Sequence, residues 1–393
     1  MDGAIQSSAR EEETTGPRAL RTAQVAHDHP APLEAICAAL GDGPFETVCL
    51  FVTPEADFHA LTRAAMGRFG AADVLACTTA GELGRDGYED GQIIAVAYPS
   101  ELFAVRTYAI EALDALDEKT VIDDLIQHRL DLSRRAGDMT SEFAFLMVDG
   151  LSMREEHLTA MLAAGLGPMP LFGGSAGDGT AFRQTWLSRN GEVLQNAALL
   201  ALVRSRCRVR VFSLDHLVPT DRRMVVTRAD IENRLVQEIN AAPAGVEYAR
   251  LLGKDPNQLD PFTFAAHPVV VRLGDSHHVR AIRQVTEAGD LVFFSAINEG
   301  MVLTLAEHQD IASHLERALS DLGKGGAPQQ ILGCDCILRR IEVGQRQQTR
   351  EVSRLLRDHN VIGFSTYGEQ IGALHVNQTL TGVAIYAADE DEA

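Results

Sequence analysis

The stretch VIGFSTYGEQIGALHVNQTLTGVAIY, residues 361–386, is the part of the chain from which the fold can be inferred most directly. Its two ends, Val361–Phe364 and Leu380–Tyr386, are apolar and predict buried strands. The segment between them carries more polar side chains than a turn needs, since turns use mainly Gly, Asn, Asp and Pro. These side chains include Tyr367, Glu369, Gln370, His375, Asn377 and Gln378. This composition predicts a loop that faces a ligand.

A second stretch, PLFGGSAGDG at residues 170–179, has the same character. An apolar strand end runs into small and polar residues that include Ser175 and Asp178. Asn190-Gly191, a dipeptide typical of tight hairpins, follows between two further apolar segments. Two such stretches, one in each half of the chain, predict that strand ends from two domains meet at a shared site. Two unrelated Gly-rich turns would give the same spacing.

Bulk composition sets the class of protein. The chain has 393 residues, 46% hydrophobic and 23% charged, as in globular proteins with a sizeable core. A formal net charge of −20 argues against nucleic acid and anionic membranes as partners, because both attract basic surfaces. No apolar run reaches the ~18 residues of a membrane-spanning helix. The six cysteines are typical of free thiols in a reducing compartment, so we expect a cytoplasmic protein.

The order of elements predicts an α+β fold with two domains of mixed β-sheet packed with helices. Strands alternate with helices in places and form hairpins in others, which favours mixed sheets over a purely parallel one. We expect a disordered tail over residues 1–30, a first domain over 31–235 and a second domain over 236–393. A ligand cleft is expected at or near their junction. The two halves are too dissimilar in sequence to predict a repeat.

Motifs of common catalytic sites are weak in this chain. The sequence GGSAGDG lacks the Gly-Lys-Ser/Thr of a phosphate loop and precedes a strand rather than a helix. Ser175 and Ser365 stand outside a Gly-x-Ser-x-Gly context, so a serine hydrolase is not expected. Cys334 and Cys336 have no second cysteine pair, which favours two buried thiols over a metal site. We therefore expect a binding protein rather than an enzyme.

Thirteen histidines provide candidate ligands for a metal or a cofactor. Several, including His308 and His314, lie in a segment that predicts a solvated helix. Five lie in strand or loop contexts: His216, His267, His277, His278 and His375. His375 lies in the polar loop, and His267 precedes a proline that favours extended backbone. A histidine among apolar residues is more often a satisfied core group than a ligand, so both interpretations stay open.

Nine stretches, in family order, resemble the FIST family of intracellular sensors, in which a FIST N domain precedes a FIST C domain. They are LFVTPEADFHAL, CTTAGELGRDGYEDGQI, LFGGSAGDG, MVVTRAD, INAAPAGVEYARLLG, AAHPVVVR, NEGMVL, GCDCILRR and GFSTYGEQ with NQTLTGVAI. The resemblance covers residues 45–388. HVNQTLTGVAI after GFSTYGEQ looks like the haem-containing bacterial branch that senses nitric oxide. Val269-Val270 stand where many members of the family have Leu-Gly.

This resemblance implies haem b held by one axial histidine, and binding of nitric oxide or carbon monoxide. It also implies a histidine kinase or a cyclic-di-GMP enzyme as signalling partner, and a homodimer is compatible with it. His375 is the expected axial ligand, with His267 and His216 as alternatives. The residues expected around the cofactor are Tyr367, Glu369, Asn377, Arg272, Arg280, Arg339, Arg340, Ser175 and Asp178. The chain has no Cys-x-x-Cys-His, so covalent attachment of haem is not expected.

A haem-free sensor of a small metabolite such as an amino acid is the alternative function. In that case Arg339 or Arg340, expected at the end of a strand, would bind a carboxylate. The cleft would be lined by Ser175, Asp178, Tyr367 and Glu369. An intense Soret absorbance of the purified protein would distinguish the haem sensor from this alternative.

Overall fold

Three consecutive segments of the chain fold into units with the same order of elements. The computed structural model describes residues 19–273 and 276–388. Each unit has an outer strand, a helix, a central strand, one or two further helices, a second central strand, a short hairpin and a returning strand. The third unit also contains an insertion after its outer strand. This order agrees with the predicted α+β class of mixed sheets packed with helices, which is confirmed.

The first unit comprises β1 (Arg21–Ala26), α1 (Pro32–Leu40), β2 (Phe45–Val52), α2 (Phe58–Ala65), β3 (Asp73–Thr78), β4 (Glu82–Gly84), β5 (Gly87–Glu89) and β6 (Gln92–Pro99). The second unit comprises β7 (Phe103–Ile110), α3 (Glu118–Arg135), β8 (Ser141–Val148), α4 (Glu155–Leu166), β9 (Leu171–Ser175), β10 (Leu187–Arg189), β11 (Glu192–Leu194) and β12 (Ala198–Ser205).

The third unit begins with β13 (Cys207–Leu214). The insertion then comprises β14 (Leu217–Asp230), β15 (Leu235–Ile239), β16 (Ala242–Pro243), α5 (Ala244–Leu252), α6 (Pro261–Ala266), β17 (Val269–Leu273), β18 (Ser276–Arg280), β19 (Ile282–Val285), β20 (Leu291–Phe293) and β21 (Val302–His308). The third unit continues with α7 (Ile311–Leu322), β22 (Gln330–Cys336), α8 (Ile337–Gln345), α9 (Thr349–Asp358), β23 (Val361–Thr366), β24 (Glu369–Ile371), β25 (Leu374–Val376) and β26 (Leu380–Ala388).

The three units build six-stranded sheets with one common strand order. The orders are β1-β6-β2-β3-β10-β11, β7-β12-β8-β9-β24-β25 and β13-β26-β22-β23-β4-β5. In each sheet the two central strands are parallel, and their neighbours are antiparallel. The last two strands of each sheet are the hairpin of another unit. The units therefore exchange hairpins in a closed ring: the first completes the third sheet, the second completes the first sheet, and the third completes the second sheet.

Backbone hydrogen bonds at the centre of the ring repeat three times. Thr78, Ser175 and Ser365 occupy equivalent positions near the ends of β3, β9 and β23. Each donates its N–H to the carbonyl oxygen of the residue just before an exchanged hairpin. Its own carbonyl oxygen accepts an N–H from the segment that leads into the same hairpin. The partners are Trp186 and Gly177 for Thr78, Gly368 and Tyr367 for Ser175, and Gly81 and Ala80 for Ser365, at 2.7–3.2 Å. The two polar stretches singled out from the sequence are therefore structural equivalents.

This repeat was not predicted from the sequence, because the two halves of the chain are too dissimilar. The repeat is carried by strand order and register, whereas the residues at equivalent positions differ in size and polarity. Tyr367, for example, is equivalent to Ala80 and Gly177. The insertion within the third unit also hides the repeat from a comparison of the two halves of the chain.

The inner faces of the three sheets share one apolar core. Phe51 of β2, Phe145 of β8 and Phe364 of β23 are fully buried at its centre. The ring centroid of Phe51 lies 6.2 Å from that of Phe145 and 4.6 Å from that of Phe364. Burial of such a side chain contributes about 1.5–3 kcal/mol. The outer faces of the sheets are covered by α1 and α2, by α3 and α4, and by α7 and α9.

The insertion has a sheet and a core of its own. Its strands have the order β18-β17-β21-β14-β15-β20-β19, with β16 paired to β15. Met224, Val236, Tyr248 and Leu303 are buried in its core. The domain boundary predicted near residue 235 stays a prediction, but strands from both sides of it share the central core of the ring.

Two smaller expectations can be compared with the described residues. Residues 1–18 of the predicted tail lie outside them, whereas Arg21–Ala26 is a strand, because Ala23 and Val25 alternate into a core and the backbone pairs with β6. All six cysteines are free thiols, and all except Cys37 are buried. Among the described helices, none is long and apolar enough to cross a membrane.

The tight centre of the ring can be tested at Gly177. A Cβ atom there would lie 2.8 Å from Ala80 Cβ and 3.1 Å from Tyr367 Cε1. We expect Gly177→Ala to lower the free energy of unfolding by about 1–3 kcal/mol through overpacking. The control Gly344→Ala adds a methyl group on α8 where no atom lies within 4 Å, and it should stabilise by about 0.4–1 kcal/mol. Equal effects of the two substitutions in urea unfolding would contradict this packing.

Candidate functional site

The two polar stretches meet in the structure, and they are buried. Strand β24 pairs with β9, which places Glu369 opposite Gly174 and Gln370 opposite Gly173. The segment from Gly368 to Asn377, predicted as a ligand-facing loop, is instead a hairpin that completes a neighbouring sheet. That prediction was wrong because pairing with another unit satisfies the backbone of this segment, which a surface loop would leave to water.

A network of buried polar side chains surrounds His375. Gln370 Nε2 donates to Ser175 Oγ at 3.0 Å and lies 3.2 Å from His375 Nδ1. The Arg280 side chain, from the insertion, donates to the carbonyl oxygen of His375 at 3.4 Å. Asn377 is fully buried, and His375 is only 2% exposed. Ser175, Gln370, His375, Asn377 and Arg280 are named the His375 centre below.

Tyr367 links the β24–β25 hairpin to Asp178 and Phe182 of the second unit. Its hydroxyl donates to the carboxylate of Asp178 and accepts the backbone N–H groups of Asp178 and Phe182 at 3.0 and 3.2 Å. Its ring stacks on that of Phe182, with centroids 4.3 Å apart. Burial and the Asp178 carboxylate raise the pKa of Tyr367, so the side chain stays a neutral phenol at pH 7. Both predicted residues thus have structural partners here.

Carboxylates at the start of α4 bind the insertion beside the His375 centre. Glu155 and Glu156 accept from Arg234 at 2.6 and 2.8 Å, and Glu156 also accepts the N–H of Ala296 at 2.8 Å. Burial opposes ionisation, but His375 and Arg234 hold the pKa of Glu156 below its ordinary value. Sequence analysis missed these residues. The carboxylates and Arg234 are distant in sequence, and no local motif links them.

Arg280 is a buried cation without a carboxylate partner in the part of the chain that the structure describes. Its guanidinium donates to the carbonyl oxygens of Val279 and His375, and its Nε atom has no hydrogen-bond partner. Burial lowers the pKa of Arg280, and the negative charge of Glu156 opposes this effect. The buried Oε1 atom of Gln370 also lacks a partner. Unsatisfied buried polar atoms are costly and rare, so they mark this centre as a place where a ligand could bind.

Glu369 serves a different role from the one predicted. Its carboxyl group accepts hydrogen bonds from Thr366 and Thr379, and the side chain is fully buried. Burial raises the pKa of Glu369 to about 8 although these hydrogen bonds oppose the shift. Glu82, the equivalent residue of the first unit, is bonded by Thr79 in the same way, and burial raises its pKa to about 7. Each acid thus links the start of its hairpin to the threonine three residues before it.

His216, Arg339 and Arg340 lie in a second buried polar group. The two arginines were predicted to end a strand. They belong instead to α8, which begins directly after β22. Arg339 turns back to bind Asp335 at 2.6 Å and approaches His216 Nδ1 at 3.0 Å. The guanidinium of Arg340 lies over the Tyr88 ring, 5.2 Å from its centroid. This group includes no residue of the His375 centre.

Both ring nitrogens of His216 have partners. Nε2 lies 2.8 Å from Glu342 Oε2, and His308 Nδ1 lies 2.7 Å from the same oxygen. His308, predicted on a solvated helix, is instead the last residue of β21, and its side chain is only 3% exposed. His216, His308, Glu342, Arg339 and Asp335 are named the His216 cluster below.

The two other predicted residues lie apart from both groups. His267 ends α6 and is half-buried, with its carbonyl oxygen bonded by the Tyr248 hydroxyl at 2.6 Å. Arg272 is exposed on β17 and lines a surface cavity of about 620 Å³ together with Arg223 and His277.

The residues around His375 do not fit a haem in this structure. An axial histidine needs a free nitrogen and a largely apolar pocket. His375 packs so closely on Gly368 that a Cβ atom there would lie 2.3 Å from His375 Cε1. The charged neighbours of His375 are Glu155, Glu156, Arg234 and Arg280. Haem binding at His375 therefore stays an expectation from the resemblance.

The buried acid Glu369 should make stability depend on pH. Its pKa is about 8 in the folded protein and near 4.5 when unfolded, so between these values only the folded chain holds the proton. The free energy of unfolding should therefore fall as pH rises through this window, by up to about 1.4 kcal/mol per pH unit. Glu369→Gln keeps a neutral side chain and should show a shallower fall in urea unfolding. The exposed Glu111→Gln variant is the control and should keep the slope of the parent protein. A slope for Glu369→Gln equal to that of this control would contradict the assignment.

Two family models match this chain. The FIST N domain matches residues 46–242, and the FIST C domain matches residues 244–372. An uncharacterized protein of Methanocaldococcus jannaschii is 22% identical over 352 residues, which cover 79% of this chain and 67% of the relative. FIST domains are sensor modules of signal transduction. The two matches together span most of the chain, which therefore belongs to the FIST family.

Proposed function

We propose that this protein is a sensor that binds a small metabolite carrying a carboxylate at the His375 centre, without haem. Arg280 is the observation that carries the proposal, because its buried guanidinium has no carboxylate partner among the described residues. A ligand carboxylate would supply a charge-assisted hydrogen bond at the free Nε atom. The partnerless Oε1 of Gln370 would accept from an ammonium group. An amino acid carries both groups.

Ligand entry requires the insertion to move. Arg280 and Ser295 belong to the insertion, whereas Gln370 and His375 belong to the ring, so the proposed site lies between two bodies. Because His375 is only 2% exposed, the described state is closed. A ligand that binds between the bodies shifts the balance between closed and open arrangements according to its affinity for each. This shift is the signal that the sensor would pass on.

The partner of the sensor follows from the family resemblance alone. A histidine kinase or a cyclic-di-GMP enzyme is the expected class, and the net charge of −20 favours a basic docking surface on it. Nitric oxide or carbon monoxide would be the signal only if haem is bound. We keep a sensor without catalytic activity as the expectation, and a homodimer as an open possibility.

Thermal unfolding with a panel of L-amino acids and dicarboxylates tests the proposal. A compound at 100 times its Kd should stabilise the protein by about 2.7 kcal/mol, which raises Tm by several degrees. Arg280→Gln should abolish this rise, because the amide cannot replace the charge. The control Arg228→Gln changes an exposed guanidinium on β14 and should keep the full rise. No stabilising compound, or equal responses of the two variants, would overturn the proposal.

Absorbance of the purified protein decides between this function and the haem sensor. We expect no Soret band after reconstitution with haem, since the surroundings of His375 are polar and closely packed. One haem per chain, lost in His375→Ala and retained in the half-buried His267→Ala, would overturn the haem-free proposal and establish the expectation from the resemblance. Circular dichroism of each variant verifies that it is folded.

A further inference from the structure

We propose that His216, His308 and Glu342 form a binding site for a first-row divalent transition metal ion, with Zn²⁺ as the probe. The site is separate from the His375 centre and does not depend on the function proposed there. Each of the three residues offers one ligand atom, and these atoms lie within 4.8 Å of one another. Two imidazoles and one carboxylate are a ligand set typical of zinc and of other ions of this class.

The spacing of the three ligand atoms is close to what one ion requires. His216 Nε2 and His308 Nδ1 lie 3.2 Å apart, and Glu342 Oε2 lies 2.8 and 2.7 Å from them. Ligand bonds of about 2.0–2.1 Å in a tetrahedral site place neighbouring ligand atoms about 3.3 Å apart. Shifts of a few tenths of an ångström would therefore open the triangle enough for an ion above its plane.

Two histidine nitrogens near the triangle have no partner. The Nε2 atom of His308 and the Nδ1 atom of His314 are buried without a hydrogen bond. The ring of His314 lies 6.3 Å from that of His216, between centroids. Four histidine and carboxylate side chains thus converge in a buried space where hydrogen bonds within the chain leave some nitrogens unused. Neither of these two nitrogens is one of the three proposed ligand atoms.

Charged side chains are paired around the three ligand residues. The charges of Asp335 and Glu342 balance those of Arg339 and Arg346, which bind them at 2.6 and 2.9 Å.

Arg339 sets the energetic cost of binding. An ion at Nε2 of His216 moves the ring proton to Nδ1, where Arg339 now donates from 3.0 Å. Arg339 must then give up this contact, but its ion pair with Asp335 at 2.6 Å can stay. The loss of this one hydrogen bond is a small cost beside the free energy with which structural zinc sites bind their ion.

The position of the site gives it a structural consequence. His216 directly precedes β14 and His308 ends β21, so the two histidines stand at the two ends of the insertion. Glu342 belongs to α8 of the third unit. One ion bound by all three would hold both ends of the insertion against the ring. Metal occupancy would thus restrict how the insertion moves.

Metal binding to the full chain, prepared free of metal with a chelator, tests the site. Titration against a chromophoric Zn²⁺ chelator should give one ion per chain. His308→Gln should raise the apparent Kd by at least about 10–100-fold, the loss that even residues supporting a ligand cause. The control His157→Gln changes an exposed histidine on α4 and should bind as the parent does. Binding without saturation, or equal binding by the two variants, would overturn the proposal.

Co²⁺ absorption gives a readout that does not need a folded variant. Co²⁺ bound by nitrogen and oxygen ligands should show ligand-field bands that Zn²⁺ abolishes. Charge-transfer bands of a cysteine thiolate would place the ion elsewhere and contradict the site, since none of the three ligands carries sulfur. Zn²⁺ should also raise the Tm of the parent protein and of His157→Gln but not of His308→Gln. A rise that persists in His308→Gln would equally overturn the assignment.

Discussion

The exchange of hairpins among three units is the constraint on which the rest of the structure depends. Strands β3, β9 and β23 would each present an unpaired edge in their own sheets, and such edges are prone to non-specific pairing. The hairpin of another unit covers each edge, so no unit can complete its sheet alone. The segments that lead into the three hairpins consequently converge at the centre of the ring. Their polar residues are buried there and must find partners within the protein.

The three junctions of the ring differ in polarity, and the difference follows the insertion. By register, Tyr88, Val193 and His375 are equivalent residues of the three hairpins. Tyr88 bonds Asp335 in one polar group, and His375 lies in the other. Val193 instead packs against an apolar core on the outer face of the first sheet. Of these three equivalent positions, the two that lie in buried polar groups are beside the insertion or its ends, which is where we propose binding functions.

Sequence patterns were sufficient for most central strands and for the fold class because apolar runs report burial directly. They also predicted that the two polar stretches meet, as the pairing of β24 with β9 shows. They did not reveal exposure, because the same polar residues suit a ligand-facing loop and a hydrogen-bonded core. His308 was assigned to a helix because its neighbours are polar. The helix in fact starts after Asp310, whose carboxylate accepts the N–H of Ser313, and His308 stays paired in β21.

Other features depend on contacts that no local pattern records. Arg339 and Arg340 follow ILGCDCIL, residues 331–338, a stretch that is apolar except for Asp335 and continues from β22 into α8, so the sequence gives no sign of where the strand ends. The ion pairs of Arg234 with Glu155 and Glu156 join residues that are almost 80 positions apart. Equivalence among Ala80, Gly177 and Tyr367 is visible only in the backbone hydrogen bonds. At these positions, contacts between residues that are distant in sequence determine the structure, and local sequence patterns do not predict it.

The interface between ring and insertion contains both an apolar cluster and buried charges. In the cluster, Val279 and Phe294 of the insertion lie with Leu338 and Tyr367 of the ring. Each body has its own apolar core, whose loss would unfold it. Beside the His375 centre, the two bodies are held by the buried ion pairs of Arg234. Such pairs contribute little net stability, because the cost of desolvation offsets much of the attraction. In the proposed sensor, a ligand charge placed beside Arg280 would act on this charged part of the interface, while the apolar cluster between the two bodies opposes their separation.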